Sequence, residues 1–100
     1  MTTYVLGQQA AEDIRDIWSF ISARNVEVAD RLVASFADAF ENLAKMPRLG
    51  HVRPDLTSAS VLFWPIDPYL VIYRVQGARV QIVAVTHGAR DVPELLRRRL

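Results

Sequence analysis

His87, Gly88 and Arg90 follow directly on an apolar, β-favouring run and close the segment IVAVTHGARD, Ile82 to Asp91. An imidazole next to guanidinium groups is suited to a phosphodiester or an acidic side chain. Two more cations can join it at one end of a sheet: Arg74, on the preceding apolar run, and Arg53, in a long loop. RNA cleavage through attack of a 2′-hydroxyl needs a base, an acid and a cation for the developing charge. His87 can be base or acid, and Arg90, Arg74 or Arg53 the cation. The second proton-transfer group is harder to find, because His51 lies in the loop and Tyr69 and Tyr73 fall on the core side of their run. The alternative is purely structural: a strand-end His87 bonded to backbone, with Arg90 paired to Asp91 or Glu94.

Other chemistries lack their residues. Two histidines far apart, no cysteine and no carboxylates at ligand spacing give no metal site. There is no glycine-rich phosphate loop, and Ser35, Ser58 and Ser60 have neither an elbow motif nor a base beside them. No cofactor is expected.

The chain that must position these residues has 100 of them, enough for one core and read as a single domain over 1–100. Its 51% hydrophobic and 23% charged content excludes a disordered chain. A formal net charge of +1 supplies no global field to draw it onto nucleic acid, so direct DNA binding by this chain alone is not expected. Of 12 positive side chains, Lys45 is the single lysine, a bias that a GC-rich coding sequence explains for most of them. The absence of cysteine suits a reducing compartment. MTTYVLGQQ has no signal pattern, and no apolar run approaches the length of a membrane span, so the expectation is a cytoplasmic protein.

Thr3 to Leu6, punctuated by Gly7, predicts a first strand. From Ala10 the period changes: Ala11, Ile14, Trp18 and Ile21 recur at helical spacing, with Glu12, Asp13, Arg15 and Asp16 opposite and acidic residues in the first turn. Asn25 ends this helix and caps the next. The second stripe, Ala29, Leu32, Val33, Phe36, Phe40, Leu43 and Ala44, runs to Pro47 and Gly50. Trp18, Phe36 and Phe40 read as core. The short join makes the two helices antiparallel neighbours. After the loop PRLGHVRPDLTSAS come three strand-like runs, Val61 to Trp64, Tyr69 to Val75 and Val80 to Thr86, the last two joined by a type II′ turn at Gly77 and Ala78. VPELLRRRL can add a short C-terminal helix, with Pro93 in its first turn and Arg97 to Arg99 as a solvated end. The class is α+β in the order β-α-α-β-β-β, a helical hairpin packed on one face of a small twisted, mainly antiparallel sheet.

That turn pairs Tyr73 with Ile82, Val71 with Ala84 and Tyr69 with Thr86. One face then carries Tyr69, Val71, Tyr73, Val75, Val80, Ile82 and Ala84, for the helices to cover. The other carries Leu70, Ile72, Arg74, Gln81, Val83, Val85 and His87, with four large aliphatics side by side. A sheet wet on one face alternates more cleanly than this, so the second face needs a cover. Either a partner chain or the C-terminal tail, through Leu95 and Leu96, can provide it.

The segments AAEDIRDIWSFI, ADRLVASFADAFENLAKMPRLGHVRPDL, YLVIYRV and IVAVTHGARD, in this order and spacing from Tyr4 to about Leu96, resemble the ParE/RelE superfamily of small bacterial toxins. The ending HGARD is similar to the ParE branch. The lysine-rich loop and C-terminal tyrosine common in RelE-like nucleases are missing, since Tyr73 is the last tyrosine. The resemblance implies the toxin of a type II toxin–antitoxin system, inhibiting growth by poisoning DNA gyrase. It also implies a cognate antitoxin with a DNA-binding half, in a hetero-oligomer, whose tail covers Leu70, Ile72, Arg74, Val83 and Val85. Arg90, His87 and Arg53 then bind the target without catalysis. The alternatives are a RelE-like ribosome-dependent mRNA endoribonuclease and an inactive homologue that binds only its antitoxin.

Overall fold

In the computed structural model, which describes residues 3–100, the chain opens with strand β1 (Thr3–Leu6) and passes at Gly7 into helix α1 (Gln8–Ser22). Helix α2 (Val26–Lys45) follows, then β2 (Leu62–Ile66), β3 (Tyr69–Gln76), β4 (Arg79–His87) and a C-terminal helix α3 (Val92–Arg99). The strands form one sheet in the order β1-β4-β3-β2, with β1 parallel to β4 and the rest antiparallel. This is the expected α+β class and element order, with the C-terminal helix present.

Local signals account for most element ends. Asn25 caps α2, its Oδ1 accepting from the Val28 N–H at 3.1 Å. Asp91 caps α3 in the same way through the Glu94 N–H, also at 3.1 Å. The β3–β4 turn pairs Gln76 with Arg79 across two residues, and Gly77 takes φ +61°, which the first central position of a II′ turn requires.

Helix α1 departs from its reading. It starts at Gln8, so its first turn holds no acidic residue. Its inward stripe is Ala10, Ile14 and Ile17: Ile14 faces the core as expected, while Ala10 and Ile17 take the places read for Ala11 and Trp18. Trp18 is therefore not core: it is 37% exposed, and its Nε1 donates to Asp30 Oδ1 of α2 at 2.8 Å. An indole at the margin of a helix pair keeps its apolar body covered and its N–H bonded, and periodicity alone cannot separate that position from the stripe.

The helical hairpin covers one sheet face. Ala10, Phe36, Phe40 and Leu43 pack against Val71, Tyr73, Val80, Ile82 and Val85. The other face is covered by the chain itself: Val92, Leu95 and Leu96 of α3 sit on Ile72, Val83, Ala84 and Phe63. Of the two covers that the sequence left open, the tail is therefore the one in place.

The register changes within β3–β4. Tyr73 faces Ile82 as expected, but Ile72 then faces Ala84, Val71 faces Val85 and Tyr69 faces His87. Val83 is the extra residue of a β-bulge, and one inserted residue moves every later side chain to the opposite face. Ala84 thus joins the α3 side and Val85 the helical side.

Candidate functional site

The bulge lies beside the most chemically varied part of the surface. Strand β1 pairs with β4 only from Arg79 to Ile82. Beyond that point α1 runs along the β4 edge, and Asp13 reaches it: Oδ2 accepts the Val85 N–H at 3.0 Å. Arg99, from the last turn of α3, grips the same carboxylate with both terminal nitrogens, at 2.9 and 2.7 Å, and donates to the Val83 carbonyl at 3.0 Å. The side chains of Arg99 and Asp13 are 11% and 12% exposed. Hydrogen bonding to Asp13 holds the guanidinium above its ordinary range. Two backbone groups freed by the bulge and by the early end of β1 are thereby satisfied by an ion pair joining both ends of the chain. The expectation of Arg97 to Arg99 as a solvated terminus therefore fails for Arg99; Arg97 and Arg98 are exposed and pair with Glu94.

Between α1 and the end of β4 lies an open cleft of about 290 Å³, lined by Asp13, Asp16, Ile17, Phe20, Tyr69, Val85, Thr86, His87 and Arg90. Its floor is apolar. Phe20 stands 79% exposed at the rim, an unusual position for a phenylalanine. The Tyr69 ring meets Phe36 edge-on at 5.8 Å and the His87 ring at 5.7 Å, so Tyr69 bridges core and cleft instead of lying wholly in the core. His87 Nδ1 accepts the Ala89 N–H at 3.0 Å. A neutral ring bonded in that way carries its proton on Nε2, so it presents a donor to the cleft and no free lone pair. Arg90 forms no ion pair among the described residues, and Glu94, its expected partner, is held by Arg97 and Arg98.

The structure brings His87 and Arg90 together and keeps Arg53 and Arg74 away. Arg74 faces Gln81, whose Oε1 accepts from its Nε at 2.8 Å. It lies five residues along β3 from Tyr69, the partner of His87, a distance of roughly 17 Å at strand rise. Arg53 follows His51, which bridges to Phe63 on the outer side of β2, at the sheet edge opposite β1. It forms an exposed bidentate pair with Asp55, which raises the guanidinium and lowers the carboxyl by mutual hydrogen bonding. The four-residue catalytic set considered for RNA cleavage is therefore not assembled.

The expected antitoxin surface is not one surface either. Ile72 and Val83 lie beneath α3, Val85 faces the helical hairpin through the bulge, and Arg74 sits near the far hairpin. Leu70 packs beside the α3 cluster, half-buried. Sequence reasoning also missed Phe20, Ile17 and Asp13. Their shared signal is i, i+4, i+7 spacing, which places them on one face of α1, and it was hidden by the wrong helical phase. Among the described residues there is no cluster of three or more potential metal ligands. No described helix is long and apolar enough to cross a membrane.

Comparison with known proteins agrees with this architecture. A solved structure titled "Chromosomal ParDE TA system from P. aeruginosa" superposes with a TM-score of 0.72 at 21% identity, over 87% of this chain and 96% of that one. No curated protein matches the sequence. The family model for the ParE toxin of type II toxin–antitoxin system, parDE, matches residues 4–92, and the chain belongs to that family.

Proposed function

We propose that this chain is a growth-inhibiting toxin that poisons DNA gyrase by binding, and that the cleft between α1 and the end of β4 is its target-contacting surface. Family membership supports the toxin assignment. The observation that carries the binding mechanism is the pairing of a 79% exposed Phe20 with an Arg90 that has no acidic partner among the described residues, beside a His87 whose Nδ1 is occupied. An exposed aromatic over an apolar floor, with an arginine at the rim, has the composition of an interface hot spot. Arg53, at the opposite sheet edge, takes no part in this cleft. A cognate antitoxin with a DNA-binding half neutralises the toxin in a cytoplasmic hetero-oligomer. With Ile72 and Val83 already covered, its contacts fall on surfaces other than the α3 face.

Incubation of purified protein with gyrase and supercoiled plasmid is expected to yield linear DNA once protein is stripped away. Unchanged supercoiling at stoichiometric protein would refute the gyrase assignment. One observation favours the ribonuclease reading: Tyr69 lies against His87 and offers its hydroxyl as a second proton-transfer group. Asp16 in the same cleft opposes it, since a carboxylate repels an RNA backbone. Mapping transcript ends after induction separates the two, because new 5′ ends in arrested cells select the nuclease and their absence eliminates it.

A further inference from the structure

We propose that Asp13 and Arg99 are positioning residues for the cleft, holding its two walls in register although the Arg99 side chain lies outside it. The inference rests on the cleft being the target-contacting surface. Asp13 is on the α1 wall, and Ile17 and Phe20 follow it on the same helical face at i+4 and i+7. Anchoring its carboxylate to the Val85 N–H fixes the rotation of that face against β4.

The opposite wall is the turn from β4 into α3. Gly88 N–H donates to the Pro68 carbonyl at 2.8 Å, and Arg90 N–H to the His87 carbonyl at 3.0 Å. Arg90 then directly precedes Asp91, the α3 cap. Its backbone is held by β4 on one side and by the docking of α3 on the other.

The three aliphatic contacts of α3 bury surface without fixing its angle or axial position, because hydrophobic contact is non-directional. The directional contact is at the far end. Arg99 lies about 12 Å along the helix from Asp91 at helical rise, and its bidentate grip on Asp13 admits one geometry. A small rotation of α3 at that end displaces Arg90 at the other. The clamp therefore sets where Arg90 and His87 stand relative to Phe20.

The test compares wild type, Arg99→Gln, Arg99→Lys and Phe20→Ala. The first arm reads hydrogen exchange of Val85–Asp91 and the His87 ring resonances in purified protein. Arg99→Gln is expected to keep the far-UV circular dichroism of a folded chain, to exchange at least about tenfold faster across Gly88–Asp91, and to shift the His87 signals. Arg99→Lys, which keeps a cation for Asp13, should recover part of both. Exchange and resonances equal to wild type in Arg99→Gln would overturn the inference. So would faster exchange at Phe36 and Tyr73 with Gly88–Asp91 unchanged, since that reports loss of global stability alone.

The second arm reads growth arrest on induction. Loss of arrest in Phe20→Ala and in Arg99→Gln, with recovery in Arg99→Lys, supports the positioning role. Arrest retained in Arg99→Gln but lost in Phe20→Ala overturns it. Arrest that survives Phe20→Ala refutes the cleft as target surface, while the first arm still decides whether the clamp positions Arg90.

Discussion

Breaking the Asp13–Arg99 pair from each side, and then from both, measures how strongly the two chain ends are tied. Arg99→Met removes one bond to the Val83 carbonyl and two to the Asp13 carboxylate, which is 12% exposed in the intact pair, and leaves the Val85 N–H as the remaining donor to Asp13. Removing one partner of a buried pair costs about 3–5 kcal/mol. The retained Val85 bond and the residual solvent contact lower this to about 2–4 kcal/mol. Asp13→Asn keeps an acceptor for Val85 but leaves Arg99 facing a neutral amide, and should cost about 1–3 kcal/mol. The double variant carries no uncompensated charge, so its loss should fall short of the sum by about 1–3 kcal/mol. Urea denaturation near neutral pH, with unchanged dependence on denaturant, supplies the four free energies. Because the pair is largely withdrawn from water, most of the coupling should persist at about 0.5 M salt. Additivity within about 0.3 kcal/mol, or a coupling abolished by salt, would show the clamp to be an ordinary surface ion pair and refute the argument.

Thr86 is 3% exposed and its Oγ1 has no hydrogen-bond partner among the described residues, so Thr86→Val should stabilise by about 1 kcal/mol; a loss of stability on denaturation would contradict it. Leu96→Ala, at a site 3% exposed against the second sheet face, should cost about 2–4 kcal/mol and raise binding of a hydrophobic dye, whereas a neutral outcome would mean that α3 is not the cover. The Tyr73 hydroxyl donates to the Pro47 carbonyl and accepts from the Gly50 N–H, both at 2.8 Å, so Tyr73→Phe should destabilise by about 1–3 kcal/mol. Burial raises the Tyr73 pKa above its ordinary value of 10.0. The stability tied to its neutral form is thus complete below 10.0 and lost as pH rises through the folded value, a slope that Tyr73→Phe should lack in alkaline denaturation curves.

The particular elements show what kind of information each level carries. Asn25 and the Gly77–Ala78 turn were legible because capping and turn geometry depend on a few adjacent residues. The α2 stripe was legible because a long helix repeats its pattern often enough to fix its phase, whereas α1 offered fewer repeats and a tryptophan at its margin. His87 and Arg90 were found together because they are neighbours on one turn. Arg53 and Arg74 were grouped with them wrongly, because residue type says nothing about which sheet edge or strand end a cation occupies.

The sequence by itself determined the order and class of the elements, the helical hairpin, the tight β3–β4 turn and a sheet too apolar to leave either face wet. The tertiary structure decided the rest: that α3 is the second cover, that Val83 bulges and exchanges the faces of Ala84 and Val85, and that Phe20, His87 and Arg90 share a cleft. The division has a physical cause. Capping, turns and periodicity are set by contacts within a few residues. The bulge and the Asp13–Arg99 clamp depend on groups as many as 86 positions apart, which the chain brings together only by closing on itself.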